Sequence, residues 1–176
     1  HDNTQGGSVY YFRGGASLAS GSADDATARM DGESTGDRLG QVLALGDADG
    51  DGRADLLVGA PNFDIPASSC GRAYLVLGGA LSTGSISDQA DTVVSAQGPP
   101  GDQLGTALAL ADLDGDGLDD LLVGAPFSNG GGSDSGRVHV FFGTPLQATR
   151  SGGTDDVTYT GAGAAIALGR ELGSAR

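Results

Sequence analysis

Short apolar runs alternate along the chain with turns rich in glycine and aspartate. Leu121–Val123 and Val138–Phe142 are examples, each bounded by turn residues. Runs of this length between turn signals predict β-strands. Leu121–Val123 is apolar at every position, which is typical of a strand covered on both faces. We expect this strand to end at Gly124, through a positive φ angle, and at Pro126, which has no N–H for a ladder.

The sequence repeats itself at a spacing of 65 residues without a gap. Residues 36–61 match residues 101–126, and the pair Gly71-Arg72 then meets Gly136-Arg137. Partial copies flank the two units, because residues 7–12 repeat the end of the unit and residues 163–169 repeat its beginning. Internal repeats of this length predict a repeat architecture. We therefore expect the chain to begin and end within a repeat.

Each unit predicts an all-β blade. The strands expected in the second copy are 92–96, 105–111, 120–124 and 137–142. Four short antiparallel strands per unit are typical of a β-propeller blade. The predicted limits are a partial blade tail at 1–20, complete blades at 21–80 and 86–145, and a partial blade head at 154–176.

Two nine-residue loops carry carboxylates at alternating positions, followed by one at the ninth. Oxygen ligands on a compact loop are what Ca²⁺ requires, and the glycines Gly52 and Gly117 let the chain reverse. The sequence therefore predicts two calcium ions per chain. The candidate ligands are Asp47, Asp49, Asp51, the backbone carbonyl of Arg53 and Asp55 in one loop, and Asp112, Asp114, Asp116, the backbone carbonyl of Leu118 and Asp120 in the other.

Other interpretations of these loops are weaker. An EF-hand is excluded because Val58 and Val123 stand at position 12, where that motif has a bidentate glutamate, and the flanks predict strands. Mg²⁺ demands a stricter octahedron. A solvated acidic turn is the remaining alternative, although clustered carboxylates repel one another without a cation. Asp119, beside the second loop, is expected at the surface and not as a ligand.

The order of these motifs resembles the FG-GAP repeat of integrin α-subunit β-propellers. The resemblance covers residues 36–78 and 101–143 well, with Leu39-Gly40 and Leu104-Gly105 where the family often has Phe-Gly. It implies a propeller with calcium held on blade hairpins, and a use in adhesion or protein recognition. Only the aspartate loops transfer from the family, and no position that contacts an integrin ligand is assigned.

The flanking copies do not supply a further calcium site or a closed ring. Aligning Gly163 with Gly105 places Arg170 where Asp112 stands, so no third site is expected. Propellers have about four to eight blades, and the resemblance implies seven. Two explanations stay open. The chain is a segment of a larger secreted protein, or identical chains pair so that Val9–Phe12 completes a blade begun by residues 156–168 of a second copy.

Charge and hydropathy exclude several functions. The formal net charge of −14 disfavours nucleic acid as a partner. No apolar run approaches the roughly 20 residues that cross a bilayer, so we expect no membrane insertion within this chain. The single cysteine, Cys70, excludes an internal disulfide framework and is expected as a packed thiol. His139 lies inside a predicted strand and is expected as a packed or surface residue, and His1 is terminal.

We therefore expect a non-catalytic binding module whose ligand is a protein or a glycan. Nothing in the sequence combines a nucleophile with a base, or forms a phosphate cradle. The alternative is an accessory or catalytic propeller segment of a secreted hydrolase that acts on glycans or lipids. The loops 62–70 and 127–135 have equal length and different sequences, which favours a recognition surface, with neutral linkers as the alternative. Calcium loops suit an extracellular or cell-surface location.

Overall fold

The computed structural model describes residues 6–14, 21–64, 68–79, 81–143, 149–151 and 155–173, so His1 lies outside the described residues. These segments are almost entirely β-structure, apart from a 3-10 turn at Ala23–Asp25 and one short helix. The elements are β1 (Ser8–Tyr11), β2 (Ala28–Asp31), β3 (Leu43–Gly46), β4 (Asp55–Ala60), β5 (Arg72–Val76), β6 (Gly84–Ser85), α1 (Ile86–Gln89), β7 (Thr92–Ser95), β8 (Ala107–Ala111), β9 (Asp120–Ala125), β10 (Arg137–Phe141), β11 (Thr149–Ser151) and β12 (Val157–Thr160). No described helix has the length and apolar character needed to span a membrane.

The strands form three sheets. The first has the order β1-β2-β6, the second β11-β7-β5-β4-β3, and the third β12-β10-β9-β8. Strands β3, β4, β5 and β7 form an antiparallel meander, and so do β8, β9, β10 and β12. Strand β11 joins the outer edge of β7 in parallel. The all-β prediction is confirmed, and the two meanders are propeller-type blades.

The predicted grouping of strands into blades is wrong by one strand. Residues 92–96 were expected to open the second blade, but β7 pairs with β5 and is the last strand of the preceding sheet. The fourth strand of the second blade is β12. The sheets therefore cross the predicted limits at residues 80 and 86. The reason is that the 65-residue repeat has no intrinsic starting point, so its period alone cannot show where one sheet ends.

The blades pack face to face and enclose two apolar cores. One core lies between the second and third sheets, where β8 contacts both β3 and β4. Its fully buried side chains include Leu57, Leu75 and Val123. The other core lies between the first and second sheets and includes Met30 and Tyr74. The second sheet contributes residues to both cores, so it is packed between its two neighbours.

The loop that begins each repeat, here called the head loop (residues 36–40, 101–105 and, in the partial copy, 163–169), binds each blade to the preceding one. Leu104 N donates to the carbonyl of Cys70 (2.9 Å), and Leu168 N donates equivalently to that of Ser135 (3.1 Å). The partial copy at 163–169 therefore makes the same contact as residues 101–105, with Leu168 at the position of Leu104. The expected alignment of Gly163 with Gly105 is wrong, because these contacts place Arg170 at the position of Thr106 and not at that of Asp112.

The expected positive φ at Gly124 is wrong. The strand β9 runs through Gly124, and positive φ angles occur instead within the head loops, at Gln103 and Ala167. A Cβ at Gly124 would overlap the carbonyl oxygen of Gly169, so this position needs glycine for close approach of the next head loop. The sequence singled out Gly124, but glycine is required there because of a contact with a distant segment of the chain.

The predicted strand exchange does not fit the observed pairing. Residues 157–160 form β12, the outer strand of their own blade, and so do not begin a blade for another chain. By repeat position, β1 and β2 correspond to the third and fourth strands of a blade. An exchange between Val9–Phe12 and residues 156–168 would therefore still lack the two inner strands.

Candidate functional site

Both aspartate loops are the tight connections of β-hairpins. Residues 47–54 join β3 to β4, and residues 112–119 join β8 to β9, as expected from the sequence; Asp55 and Asp120 begin the strands that follow. Two glycines in each loop adopt positive φ, among them Gly52 (80°) and Gly117 (92°). These left-handed residues reverse the chain within a few positions, so that the acidic side chains are gathered on one side.

The first aspartate of each loop is oriented by the backbone of its own turn. Asp47 accepts hydrogen bonds from Gly50 N (2.8 Å) and Gly52 N (2.9 Å). Asp112 accepts equivalent bonds from Gly115 N (2.7 Å) and Gly117 N (3.0 Å). The identical pattern in two loops means that the turn geometry, and not a chance rotamer, sets these carboxylates.

The structure brings three carboxylates together in each loop. In each group, one oxygen atom from each carboxylate lies within 4.8 Å of the others, but the third member stands at the ninth loop position in the first loop and at the fifth in the second. The groups are Asp47, Asp49 and Asp55 in the first loop, and Asp112, Asp114 and Asp116 in the second. Asp51 and Asp120 belong to the same loops but lie outside these groups. Asp51 accepts from Arg53 N and Asp116 accepts from Leu118 N, both at 2.8 Å.

The last aspartate of each loop is buried and holds the strands in place. Asp55 accepts from Ala48 N and Gly78 N, both at 2.7 Å. Asp120 is equally buried and occupies the same position in the second blade. Burial raises the pKa of both carboxyls, the backbone donors oppose this rise, and neighbouring aspartates add to it. A bound cation would offset that repulsion.

The donor set fits a hard divalent cation. It consists of carboxylate oxygens, with the backbone carbonyls of Arg53 and Leu118 in the same loops, and such all-oxygen sets suit Ca²⁺. The backbone N–H bonds leave further lone pairs on the carboxylates, since each ionised oxygen accepts more than one bond. The residues present therefore fit calcium.

Asp119 links the two loops, a role that the sequence did not reveal. Its N–H donates to the carbonyl of Asp47, and its carboxylate accepts from Asp47 N, both at 2.8 Å. The prediction that Asp119 is not part of the ligand groups stands, but it is partly buried between blades. The signal was present in the repeat, because the equivalent position in the first unit is Ala54.

The two variable loops dock the next head loop. Ser68 and Ser69 accept hydrogen bonds from Gly101 N (3.0 Å) and Gln103 N (3.1 Å) through their carbonyls. Residues 133–135 do the same for residues 165–168. Residues 65–67 lie outside the described part of the first loop. Because carbonyls make these contacts, the loop sequences differ while the geometry stays the same.

Cys70 and His139 are packed residues. The Cys70 thiol is buried and faces the carbonyl of Pro99 (3.6 Å). His139 is also buried, with Nδ1 3.3 Å from a carboxylate oxygen of Asp155. Burial lowers the pKa of His139, and Asp155 partly opposes this. Both residues agree with the packed roles expected from the sequence.

Comparison with known proteins identifies the repeat. The family model described as FG-GAP repeat matches residues 39–76 and 104–141. Phosphatidylinositol-glycan-specific phospholipase D of Rattus norvegicus is 39% identical over 113 residues, which is 61% of this chain and 13% of the relative. Integrin alpha-IIb of Homo sapiens is 38% identical over 121 residues, 65% of this chain and 11% of the relative. Integrin alpha-3 of Cricetulus griseus is 35% identical over 113 residues, 64% of this chain and 10% of the relative.

The chain thus spans a small part of the length of each of these relatives. The matched regions contain both aspartate loops, the β-strands that flank them, and the Leu-Gly pairs of the first two head loops. The chain therefore contains two FG-GAP repeats and is related through them to integrin alpha subunits and to phosphatidylinositol-glycan-specific phospholipase D.

Proposed function

We propose that this chain is a calcium-stabilised, non-catalytic FG-GAP module for adhesion or ligand recognition outside the cytosol. The observation that carries the proposal is the pair of three-carboxylate groups, one on each of two corresponding hairpin loops. Bound calcium would neutralise these carboxylates and so favour the folded hairpins. At free calcium about 100-fold above the dissociation constant, one site contributes about 2.7 kcal/mol.

In this proposal the first ion is held by Asp47, Asp49, Asp51, Asp55 and the Arg53 carbonyl, and the second by Asp112, Asp114, Asp116, Asp120 and the Leu118 carbonyl. Asp51 and Asp120 are the ligands with least support, because they lie outside the three-carboxylate groups. Asp51 is exposed, so its side chain is free to turn toward an ion without a change in the core.

Calorimetric titration of chelator-treated protein with calcium tests the proposal. We expect two calcium ions per chain in the unmodified protein, one in Asp49→Ala, and none in Asp49→Ala/Asp114→Ala. Circular dichroism of each chelated sample shows whether it is folded. A folded protein that binds no calcium, or a double variant that still binds two ions, would show that the aspartates are solvated turns.

The exposed apolar surface supports a partner for the first two sheets. Leu43 and Leu45 on β3 are 49% and 68% exposed, whereas Leu108 and Leu110, at the same repeat positions on β8, are 5% exposed. Tyr10 on β1 is also exposed. The neighbouring blade covers β8, so we infer that missing blades or a second copy of this chain covers β3. Sedimentation velocity over a range of concentrations distinguishes them, since only self-association changes with concentration.

The relatives named as phospholipase D support a second candidate, a segment of a secreted hydrolase that acts on glycans or lipids. Within the described residues, Cys70 and His139 are both buried; the Cys70 thiol faces the carbonyl of Pro99, and His139 Nδ1 faces Asp155. We expect no hydrolysis of a phosphatidylinositol-glycan or a glycoside by this chain. Turnover that disappears in His139→Ala would favour the hydrolase candidate.

A further inference from the structure

A polar cavity lies between the second and third sheets. Its volume is about 220 Å³, and Asp102, Arg137 and His139 are among the residues that line it. Asp102 is 4% exposed and His139 is 5% exposed. Among the described residues, neither Asp102 Oδ1 nor Arg137 Nε has a hydrogen-bond partner, although both atoms are buried. A buried donor and a buried acceptor without partners are costly, which favours a ligand that bonds to them.

The equivalent place in the first repeat is filled by the protein itself. Glu33 Oε1 accepts hydrogen bonds from Arg72 Nη1 (2.8 Å) and from the Tyr74 hydroxyl (2.5 Å). The ring of Phe63 lies against the guanidinium, with its centroid 3.6 Å from Arg72 Cζ. Arg72 Nε donates to Ser95 Oγ (3.0 Å). The first arginine therefore has a carboxylate partner and an aromatic support.

The second repeat keeps the arginine and loses the groups around it. At the 65-residue spacing, Arg137 corresponds to Arg72, while Gly98, Ser128 and His139 correspond to Glu33, Phe63 and Tyr74. One carboxylate and one aromatic ring are thus removed, and an imidazole replaces a phenol. These three differences open the space beside Arg137. Thr160 stands opposite Arg137 as Ser95 stands opposite Arg72, but Arg137 Nε makes no hydrogen bond within the described part of the chain.

The aspartate beside the arginine also differs between the repeats. Asp37 Oδ2 accepts a hydrogen bond from Ser34 N (2.7 Å). The corresponding residues are Asp102 and Pro99, and proline has no N–H to donate. The Asp102 carboxyl instead lies over Gly98, where an added Cβ would overlap Asp102 Oδ2. The cavity wall therefore combines a guanidinium with a buried carboxyl.

We propose that this cavity binds a small carboxylate, which accepts hydrogen bonds from Arg137 as Glu33 does from Arg72. An arginine guanidinium suits a carboxylate because its N–H groups match the spacing of the two oxygens. The volume is below the roughly 300–1,000 Å³ of ordinary ligand pockets, which limits the ligand to a short carboxylic acid.

The negative charge of Asp102 does not exclude such a ligand. The first repeat already places a carboxylate, Glu33, beside the buried Asp37. Burial raises the pKa of Asp102, and Arg137 and Ser128 oppose the rise. A proton taken up by Asp102 on binding would remove the repulsion and supply a donor to the ligand.

Nuclear magnetic resonance of the arginine Nε–H groups tests the proposal with acetate as the probe. Sodium chloride at equal ionic strength is the reference, and the Arg72 signal is the internal control because Ser95 already accepts from that Nε. The matched variant is Gly98→Glu/Pro99→Ser, which restores the Glu33-Ser34 pair of the first repeat. We expect acetate to shift the Arg137 Nε–H signal saturably in the unmodified protein, with no such shift in the variant.

Two results would overturn the proposal. The first is an Arg137 Nε–H signal that shows no saturable shift with acetate. This outcome would count against the proposal even if glycerol, a neutral probe, shifted the signal. The other is an equal acetate shift in a folded Gly98→Glu/Pro99→Ser variant, since its own carboxylate would then not compete. If that variant does not fold, Arg137→Gln replaces it, with the His139 ring signals as the readout and loss of their acetate response as the expected result.

Discussion

Replacing Asp120 with alanine separates the structural role of the aspartate loops from metal binding. Asp120 accepts from the buried Gly143 N (3.0 Å) and from Leu113 N (2.8 Å), which is only partly buried. Loss of the acceptor for a buried donor costs about 1–3 kcal/mol, and loss of an ordinary hydrogen bond costs about 0.5–1.5 kcal/mol. Removal of a buried charge offsets part of this. We expect Asp120→Ala to lower the free energy of unfolding by about 1–4 kcal/mol without calcium.

Asp114→Ala is the matched control in the same loop. Asp114 is exposed and accepts from Asp116 N (3.1 Å), so its loss is expected to change the free energy of unfolding by no more than about 0.5 kcal/mol in chelator. With calcium about 100-fold above the dissociation constant, Asp114→Ala should lose the roughly 2.7 kcal/mol of one site. Asp120→Ala should show its deficit in both conditions.

Urea unfolding followed by circular dichroism, in excess chelator and in excess calcium, measures both effects. Equal midpoints for Asp120→Ala and Asp114→Ala in chelator would refute the structural role of the buried carboxylate. An unchanged calcium increment in Asp114→Ala would refute its assignment as a ligand. The structural role of Asp120 and the ligand role of Asp114 are therefore tested independently.

Three further predictions concern contacts between blades and burial. Gly124→Ala should lower the free energy of unfolding by about 1–3 kcal/mol, because the new Cβ would overlap Gly169 O. Gly163→Ala is the control, since its Cβ would have its nearest neighbour at 3.7 Å, and it should unfold like the unmodified protein. Equal thermal midpoints for the two variants would contradict the contact at Gly124. Asp119→Ala should cost about 1 kcal/mol in urea unfolding, since one of its two bonds to Asp47 is lost, and an unchanged midpoint would refute the link. Burial raises the pKa of Asp102 above its ordinary 3.8, so the native state takes up the proton first and stability rises as pH falls through the native pKa toward 3.8. Asp102→Asn should flatten that rise in urea midpoints measured against pH, and a profile as steep as that of the unmodified protein would contradict the burial.

The hairpins that carry the aspartates were predictable because their determinants are local. Gly52 reverses the chain, Asp47 bonds to its own turn, and the flanking strands are short apolar runs. Each of these interactions joins residues only a few positions apart. For the same reason the alternating aspartates predicted gathered carboxylates, and the structure gathers three of the four in each loop.

The roles of Asp119 and Gly98 were not predictable by the same argument. Asp119 forms a hydrogen bond with a residue 72 positions earlier. The cavity at Gly98 forms because no side chain from this position reaches Arg137, which lies far along the chain. In the repeat alignment both appeared only as differences between the two units. A difference between repeats shows that environments differ, but not which residue lies opposite.

The sequence by itself determined the repeat, the all-β class and the aspartate loops, because period, strand pattern and turn chemistry depend on neighbours along the chain. Only the tertiary structure decided which strands share a sheet, since β7 has the same local pattern in either blade. It also decided that β12 belongs to its own blade and that Gly124 is needed for the approach of Gly169. These outcomes depend on hydrogen bonds and packing between distant segments, which no local pattern contains.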